Sequence, residues 1–217
     1  MSVKYKNILF DLDGVVTDSG EGIMNSVRNA LNYFEIDVKD EAELKRFVGP
    51  PLITSFSKFY GFDEEKAKLA VEKYREYYRV KGIFEQKIYD GIERLLGELH
   101  KSDKKVFLAT SKPEAFAKQI LEHFNLAQNF TCISGATMDL SKSKKTQIIG
   151  DIIKDHNLNL EETVMIGDRA EDIIGANENH INSIGVLYGY GDYEELSKVE
   201  PTYIVKDVKE LMGLLVD

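Results

Sequence analysis

The strongest constraint on the fold is an alternation of short apolar segments with amphipathic helical patterns. Six apolar runs predict strands, at residues 6–10, 105–110, 131–134, 163–167, 183–186 and 203–205. Helical patterns follow or separate them at residues 91–100, 113–124, 143–156, 170–179 and 207–215. Continuous apolar runs of this length are typical of parallel strands that are covered on both faces. The sequence therefore predicts an α/β protein, a parallel sheet whose crossover helices lie on both faces.

One segment, residues 18–83, interrupts the alternation, with four helical patterns and no convincing strand. Asp18, Asp40 and Asp63 each stand where a helix N-cap is expected, and Gly82 follows the last helical pattern. We therefore expect an all-helical domain at 18–83, inserted after the first strand of a Rossmann-like core domain. Residues 1–17 and 84–217 form that core.

Composition narrows the class of partner. The chain has 28 Lys and Arg against 37 Asp and Glu, a net charge of −9, which argues against a nucleic acid polymer. No stretch approaches the roughly 20 apolar residues of a membrane span, and the polar start predicts no signal peptide. The single cysteine, Cys132, excludes an internal disulfide and fits a reducing compartment. We expect a cytoplasmic protein, a monomer or a homodimer, and the negative charge does not exclude a small phosphorylated substrate.

Carboxylates follow two of the predicted strands directly. Asp11 and Asp13 lie in an Asp-Leu-Asp-Gly sequence after the first strand, and Asp168 follows the fourth, with Asp172 four residues later. Ligands of open α/β sheets bind at the carboxyl ends of the strands, where such acids can converge on one cation. Each pair also has a simpler interpretation, as turn or helix-capping residues.

Hydroxyl and ammonium groups lie near the same predicted edge. Thr110 and Ser111 end the second strand, where they can bind an anion, cap the next helix, or do both. Lys142, Lys144 and Lys145 lie at the start of a helix, where the helix dipole disfavours cations. We therefore expect one of the three lysines to pair with an anionic group. At least one of the others is expected to be solvated at the surface.

The order of these motifs resembles that of the haloacid dehalogenase-like hydrolase superfamily, across essentially the whole chain. Asp-x-Asp-Gly comes first, then Thr-Ser, then lysine, then Gly-Asp-x-x-x-Asp. The helical insert resembles the cap domain of that superfamily. Four segments, 47–52, 109–113, 165–169 and 185–191, are similar to the branch of phosphoglycolate phosphatases and bacterial 5'-nucleotidases. Val15 and Val16 depart from the Thr-Leu found in many members.

The resemblance implies roles for the four carboxylates. Asp11 would be the nucleophile that attacks phosphorus and becomes an aspartyl phosphate. Asp13 would protonate the leaving alcohol and then deprotonate the hydrolytic water. Asp168 would bind Mg²⁺, assisted by Asp172, while Asp11 and the backbone carbonyl of Asp13 would complete the metal site.

The resemblance also implies ligands for the substrate. Thr110 and the N–H of Ser111 would bind the transferring phosphoryl group. Lys145 fits the catalytic lysine of the family better than its neighbours do, and would lie one turn into its helix. Arg46, before the Gly49-Pro50-Pro51 turn of the insert, is a further candidate for substrate contact, and a solvated position is an equal alternative.

These expectations lead to a Mg²⁺-dependent phosphatase of small phosphate monoesters, such as phosphoglycolate or a nucleoside monophosphate. A phosphomutase on the same core is an alternative, because that core can return the phosphoryl group to its substrate. A phospho-accepting signalling module of the receiver type is another, because it also gathers acids, a threonine and a lysine around an aspartate.

Overall fold

The central sheet confirms the predicted α/β class. In a computed structural model, residues 5–139 and 141–216 are described. Their strands are β1 (Asn7–Phe10), β2 (Thr17–Asp18), β3 (Lys87–Ile88), β4 (Lys105–Pro113), β5 (Cys132–Ala136), β6 (Thr163–Gly167), β7 (Asn182–Val186) and β8 (Tyr203–Val205). Six of these strands form one parallel sheet in the order β5-β4-β1-β6-β7-β8. The two-residue strands β2 and β3, which the sequence patterns do not predict, lie outside it.

Ten α-helices lie within the described part of the chain. They are α1 (Gly20–Tyr33), α2 (Glu41–Lys45), α3 (Leu52–Tyr60), α4 (Glu64–Val80), α5 (Ile92–His100), α6 (Glu114–His123), α7 (Lys145–His156), α8 (Ala170–Glu178), α9 (Tyr193–Ser197) and α10 (Val208–Leu215). Short 3-10 turns at Gly82–Phe84, Ala127–Asn129 and Leu160–Glu162 complete the elements. Over the described residues, none of these helices combines the length and the apolar character that crossing a membrane requires.

Strand β1 is buried on both faces because it lies in the middle of the sheet. All four of its residues are buried. Leu9 packs with Phe107 of β4 and Met165 of β6 against a layer that includes Ile149 of α7 and Ala176 of α8. Its alternate residues point to the opposite face, as the two-residue period of a strand requires. The continuous apolar run in the sequence is thus the expected signature of a central parallel strand.

The chain divides into two compact units, one made of Met1–Thr17 with Ile88–Asp217 and the other of Asp18–Lys87. The second unit contains α1 to α4, and α1 packs along α4. Two predicted N-caps are present there, because Asp40 accepts a hydrogen bond from Ala42 N–H and Asp63 accepts one from Lys66 N–H. The predicted cap at Asp18 is wrong by one position. The cap residue of α1 is Ser19, and Asp18 instead accepts a hydrogen bond from Gly20 N–H at 3.3 Å.

Candidate active site

The carboxyl ends of three adjacent strands bring the candidate groups together. Asp11 follows β1, Thr110 lies in the C-terminal half of β4, and Asp168 follows β6. The chain leaves β1 for β4 on one side and later returns to β6 on the other, so the strand order reverses at β1. Ligands of open α/β sheets bind at such a switch point.

Lys145 is the cation at the centre of the cluster. Its Nζ lies 2.9 Å from Oδ1 of Asp11 and 2.7 Å from Oδ1 of Asp172, and it donates to the carbonyl oxygen of Ala109 at 2.8 Å. Three acceptors thus match the three protons of the ammonium group. Burial alone would lower the pKa of Lys145, but the carboxylates of Asp11 and Asp172 outweigh burial and raise it. Lys145 is therefore charged at neutral pH.

The helix that carries Lys145 begins later than the sequence patterns predict. Lys145 is the first residue of α7 rather than a residue one turn in, and the first helical hydrogen bond runs from Ile148 N–H to the carbonyl of Lys144. Lys142 instead pairs with Asp151 at 2.6 Å, and Lys144 is exposed. Of the three neighbouring lysines, Lys145 alone contacts the cluster through a described ion pair.

Three carboxylates form a group that can hold a metal ion. One oxygen each from Asp11, Asp168 and Asp172 lies within 4.8 Å of the others. Oδ2 of Asp168 accepts a hydrogen bond from Tyr190 N–H at 2.7 Å, but no donor among the described residues reaches its buried Oδ1. A buried carboxylate oxygen without a partner is costly. Lys145 pairs with only two of the three carboxylates, so a divalent cation with hard oxygen ligands, such as Mg²⁺, fits both the remaining negative charge and the free oxygen.

The carboxylate of Asp13 lies outside that metal-binding group. Its Oδ1 forms an ion pair with Nζ of Lys112 at 2.9 Å, and the side chain of Lys112 is only 6% exposed. Sequence reasoning identified Asp13 but missed Lys112. In the sequence, Lys112 is marked only by its position directly after Thr110 and Ser111. That position does not distinguish it from a surface lysine until the fold is known.

The remaining candidates occupy different surroundings. Thr110 is buried, and its Oγ1 accepts a hydrogen bond from Lys112 N–H at 3.2 Å. Ser111 is exposed at the same strand end. Arg46 lies in the helical unit, where its guanidinium stacks over the ring of Phe59 at 3.9 Å from the ring centre. A contact between Arg46 and a substrate therefore remains a prediction.

Two glycines let the acidic loops approach closely. A side chain at Gly167 would overlap with the side chain of Asp172, and one at Gly14 would overlap with the carboxylate of Asp168. Gly14 also has a φ of 81°, which favours glycine. The glycines of Asp-Leu-Asp-Gly and Gly-Asp thus provide the space in which the carboxylates meet.

The acidic cluster predicts that the metal-free protein loses stability as pH rises. Burial raises the pKa of Asp11 to about 6 and, together with the charges of Asp172 and Asp11, raises the pKa of Asp168 well above its usual range. The folded protein then binds more protons than the unfolded chain above about pH 4, so its free energy of unfolding falls with rising pH.

We expect Asp168→Asn to lose less stability than the unchanged protein between about pH 5 and about pH 7.5. Urea unfolding in EDTA measures this, and equal losses in both proteins would contradict it.

Comparison with known proteins places the chain in one family. The model for haloacid dehalogenase-like hydrolases matches residues 8–186. A 5'-nucleotidase of Pseudomonas aeruginosa is 42% identical over 214 residues, which are 99% of this chain and 97% of that protein. The tyrosine-protein kinase PtkA of Mycobacterium tuberculosis is 33% identical over 95% of this chain and 72% of its own length.

Solved structures agree with this assignment. A Clostridium acetobutylicum structure described as "a predicted phosphatase" has a TM-score of 0.90 and 50% identity, covering 97% of both chains. A phosphoglycolate phosphatase of Vibrio cholerae is more distant, at 26% identity over 97% of this chain and 96% of its own. The expected family and enzyme class, a phosphoric monoester hydrolase, agree with these phosphatase relatives. The chain belongs to the haloacid dehalogenase-like hydrolases.

Proposed function

We propose that this protein is a Mg²⁺-dependent phosphatase that hydrolyses small phosphate monoesters through a phosphorylated Asp11. One observation carries the proposal. Asp11, Asp168 and Asp172 meet at the switch point of the sheet, the buried ammonium group of Lys145 pairs with Asp11 and Asp172, and one oxygen of Asp168 has no described donor and is free for a cation.

In the first half of the reaction, a carboxylate oxygen of Asp11 attacks the phosphorus of the ester. The bond between phosphorus and the ester oxygen breaks, and the leaving alkoxide takes a proton from Asp13. Asp11 is held for this attack by two hydrogen bonds to Oδ1, from Leu12 N–H at 2.8 Å and from Lys145 at 2.9 Å. Its other oxygen remains available as the nucleophile.

In the second half, water replaces Asp11 on the phosphoryl group. Asp13 takes a proton from the water, whose oxygen bonds to phosphorus while the bond from phosphorus to Asp11 breaks. The products are inorganic phosphate and a free Asp11. Lys112 suits this second half, because its ion pair at 2.9 Å favours the charged carboxylate of Asp13 that takes the proton, while the side chain of Asp13 stays 25% exposed.

The phosphoryl group needs positive charge and donors around it. Lys145 lies against the nucleophile, and Thr110 offers its hydroxyl in the C-terminal half of β4 with the N–H of Ser111 beside it. Asp11, Asp168 and Asp172 would hold Mg²⁺, which supplies further charge neutralisation when bound. Together, these groups would stabilise the charge that develops on the phosphoryl oxygens.

The substrate is proposed from the relatives. The relative at 42% identity is named a 5'-nucleotidase, which puts nucleoside 5'-monophosphates first and phosphoglycolate second. We propose the helical unit, Asp18–Lys87, as the cap domain that selects the substrate, with Arg46 as a candidate contact. The single cysteine suits a cytoplasmic enzyme, acting as a monomer or homodimer on a small phosphorylated metabolite.

A second candidate is transfer of the phosphoryl group to an acceptor other than water. This candidate is supported by the relative at 33% identity, which is named a tyrosine-protein kinase. The same phosphorylated Asp11 would then pass its phosphoryl group to a hydroxyl, as in a phosphomutase, or persist, as in a receiver-type module. The lifetime of the phosphorylated protein separates these cases, because a hydrolase loses the phosphate within each turnover.

A phosphate-release screen tests the proposal directly. We expect nucleoside 5'-monophosphates, phosphoglycolate or a related small ester to be hydrolysed with a kcat/KM of about 10⁴ M⁻¹ s⁻¹ or more, and only with Mg²⁺ present. Sugar phosphates and pyrophosphate complete the panel, and EDTA provides the metal-free control. Absence of release with every ester, or equal release in EDTA, would overturn the proposal. Phosphate appearing on a tyrosine when ATP is supplied would favour the second candidate instead.

A further inference from the structure

Residues 187–191, Leu-Tyr-Gly-Tyr-Gly, connect β7 to the start of α9 and form the segment we call the glycine loop. In the sequence, this segment has the composition of an ordinary turn and lies about 20 residues after Asp168. In the structure, the glycine loop lies directly against Asp168. The mechanism proposed above assigns it no role.

Both glycines of the loop are needed because no side chain fits at either position. A methyl group at Gly189 would overlap with the side chain of Asp168 and the carbonyl oxygen of Gly14, and one at Gly191 would overlap with the carbonyl oxygen of Asp168. Neither glycine has the positive φ that Gly14 has, so neither is needed for an unusual backbone conformation. Glycine at these positions allows the backbone to enclose Asp168.

The loop also determines which oxygen of Asp168 is free. Tyr190 N–H donates to Oδ2 at 2.7 Å, whereas no described donor reaches Oδ1. A hydrogen bond to one carboxylate oxygen fixes the rotation of the group and leaves the other oxygen in a defined place. The loop therefore fixes the orientation of the Asp168 carboxylate, one oxygen of which lies in the group formed with Asp11 and Asp172.

The loop is anchored at both ends. Tyr188 Oη donates to the carbonyl oxygen of Val15 at 3.2 Å, and its ring packs edge-on against Tyr89. At the other end, Glu195 of α9 accepts from Arg169 Nε at 2.8 Å and from Ala170 N–H at 2.9 Å. The loop is thus tied to the segment after β1 and to the residues that follow Asp168.

We propose that the glycine loop positions Asp168 and thereby sets the affinity of the protein for Mg²⁺. The inference rests on the proposed function, because it takes Asp168 as a metal ligand. The effect of the loop is transmitted through the backbone N–H of Tyr190 and the space left at Gly189.

Magnesium binding without substrate tests the proposal. We expect Gly189→Ala to raise the Kd for Mg²⁺ by about 10- to 100-fold in calorimetric titration of the intact protein with MgCl₂, the range typical for partners that orient a metal ligand. Gly97→Ala is the matched control, because a methyl group at Gly97 in α5 meets open space among the described residues. An unchanged Kd in folded Gly189→Ala would overturn the proposal.

A second pair of variants covers the case in which Gly189→Ala does not fold. Tyr190→Pro removes the N–H that bonds Asp168, and Tyr190→Ala removes the same side chain but keeps the N–H. We expect the Kd for Mg²⁺ to rise at least tenfold further in the proline variant than in the alanine variant. Equal values would overturn the role of the loop while leaving the proposed function intact. A wild-type protein that does not bind Mg²⁺ would overturn the metal site and this inference together.

Discussion

Replacing Asp11 with asparagine is expected to abolish phosphate release while preserving the fold. The amide oxygen can still accept the hydrogen bonds from Leu12 N–H and Lys145, so the local structure needs little change. The amide has no charged oxygen to attack phosphorus, and loss of a nucleophile typically reduces turnover by several orders of magnitude. Steady-state phosphate release with Mg²⁺ and the best ester of the panel measures the effect.

The control for this substitution is Asp103→Asn, which makes the same chemical change at an exposed position of the same unit. Mass spectrometry should confirm that the asparagine at position 11 has not deamidated. Activity near wild type in such a sample would refute Asp11 as the nucleophile. A further consequence concerns Asp13→Asn, which should release phosphate far more slowly than wild type, because both half-reactions lose the group that moves the proton.

Replacing Lys145 with alanine is expected to lower both turnover and metal-free stability. Loss of one preorganised charge at the reacting centre typically costs about 100- to 1000-fold in rate. The ammonium group also neutralises Asp11 and Asp172, whose side chains are 13% and 2% exposed. Breaking a buried ion pair on one side costs about 3–5 kcal/mol, so the metal-free variant should unfold at a lower urea concentration.

Magnesium should partly restore the stability of Lys145→Ala, because the ion would neutralise the carboxylates that the lysine leaves behind. We therefore expect a larger Mg²⁺-induced rise in Tm for this variant than for wild type. Lys144→Ala is the matched control, since Lys144 is adjacent in sequence but exposed. Loss of activity in Lys144→Ala with none in Lys145→Ala would reverse the assignment of the two lysines.

The sequence was sufficient to predict the sheet and the approximate place of each acid. A continuous apolar run is what a parallel strand covered on both faces requires, and all six predicted strands of the sheet are present. Because all six run parallel, the residues that follow β1 and β6 lie at the same edge, so Asp11 and Asp168 meet. Element ends were less predictable. Asp18 and Ser19 are both good capping residues, and a helix end is uncertain by one or two residues when only local sequence is considered.

Only the tertiary structure decided how the charges pair. Composition and spacing cannot distinguish Lys112, which is buried against Asp13, from an exposed lysine such as Lys144, because burial depends on which elements pack together. Likewise, Leu-Tyr-Gly-Tyr-Gly is ordinary turn composition until β7 lies beside β6, which brings Gly189 and Tyr190 N–H against Asp168. The sequence by itself determined the strands and the acids at their ends, since both follow from local pattern. The tertiary structure determined each acid's partner, since those contacts join residues distant in the chain.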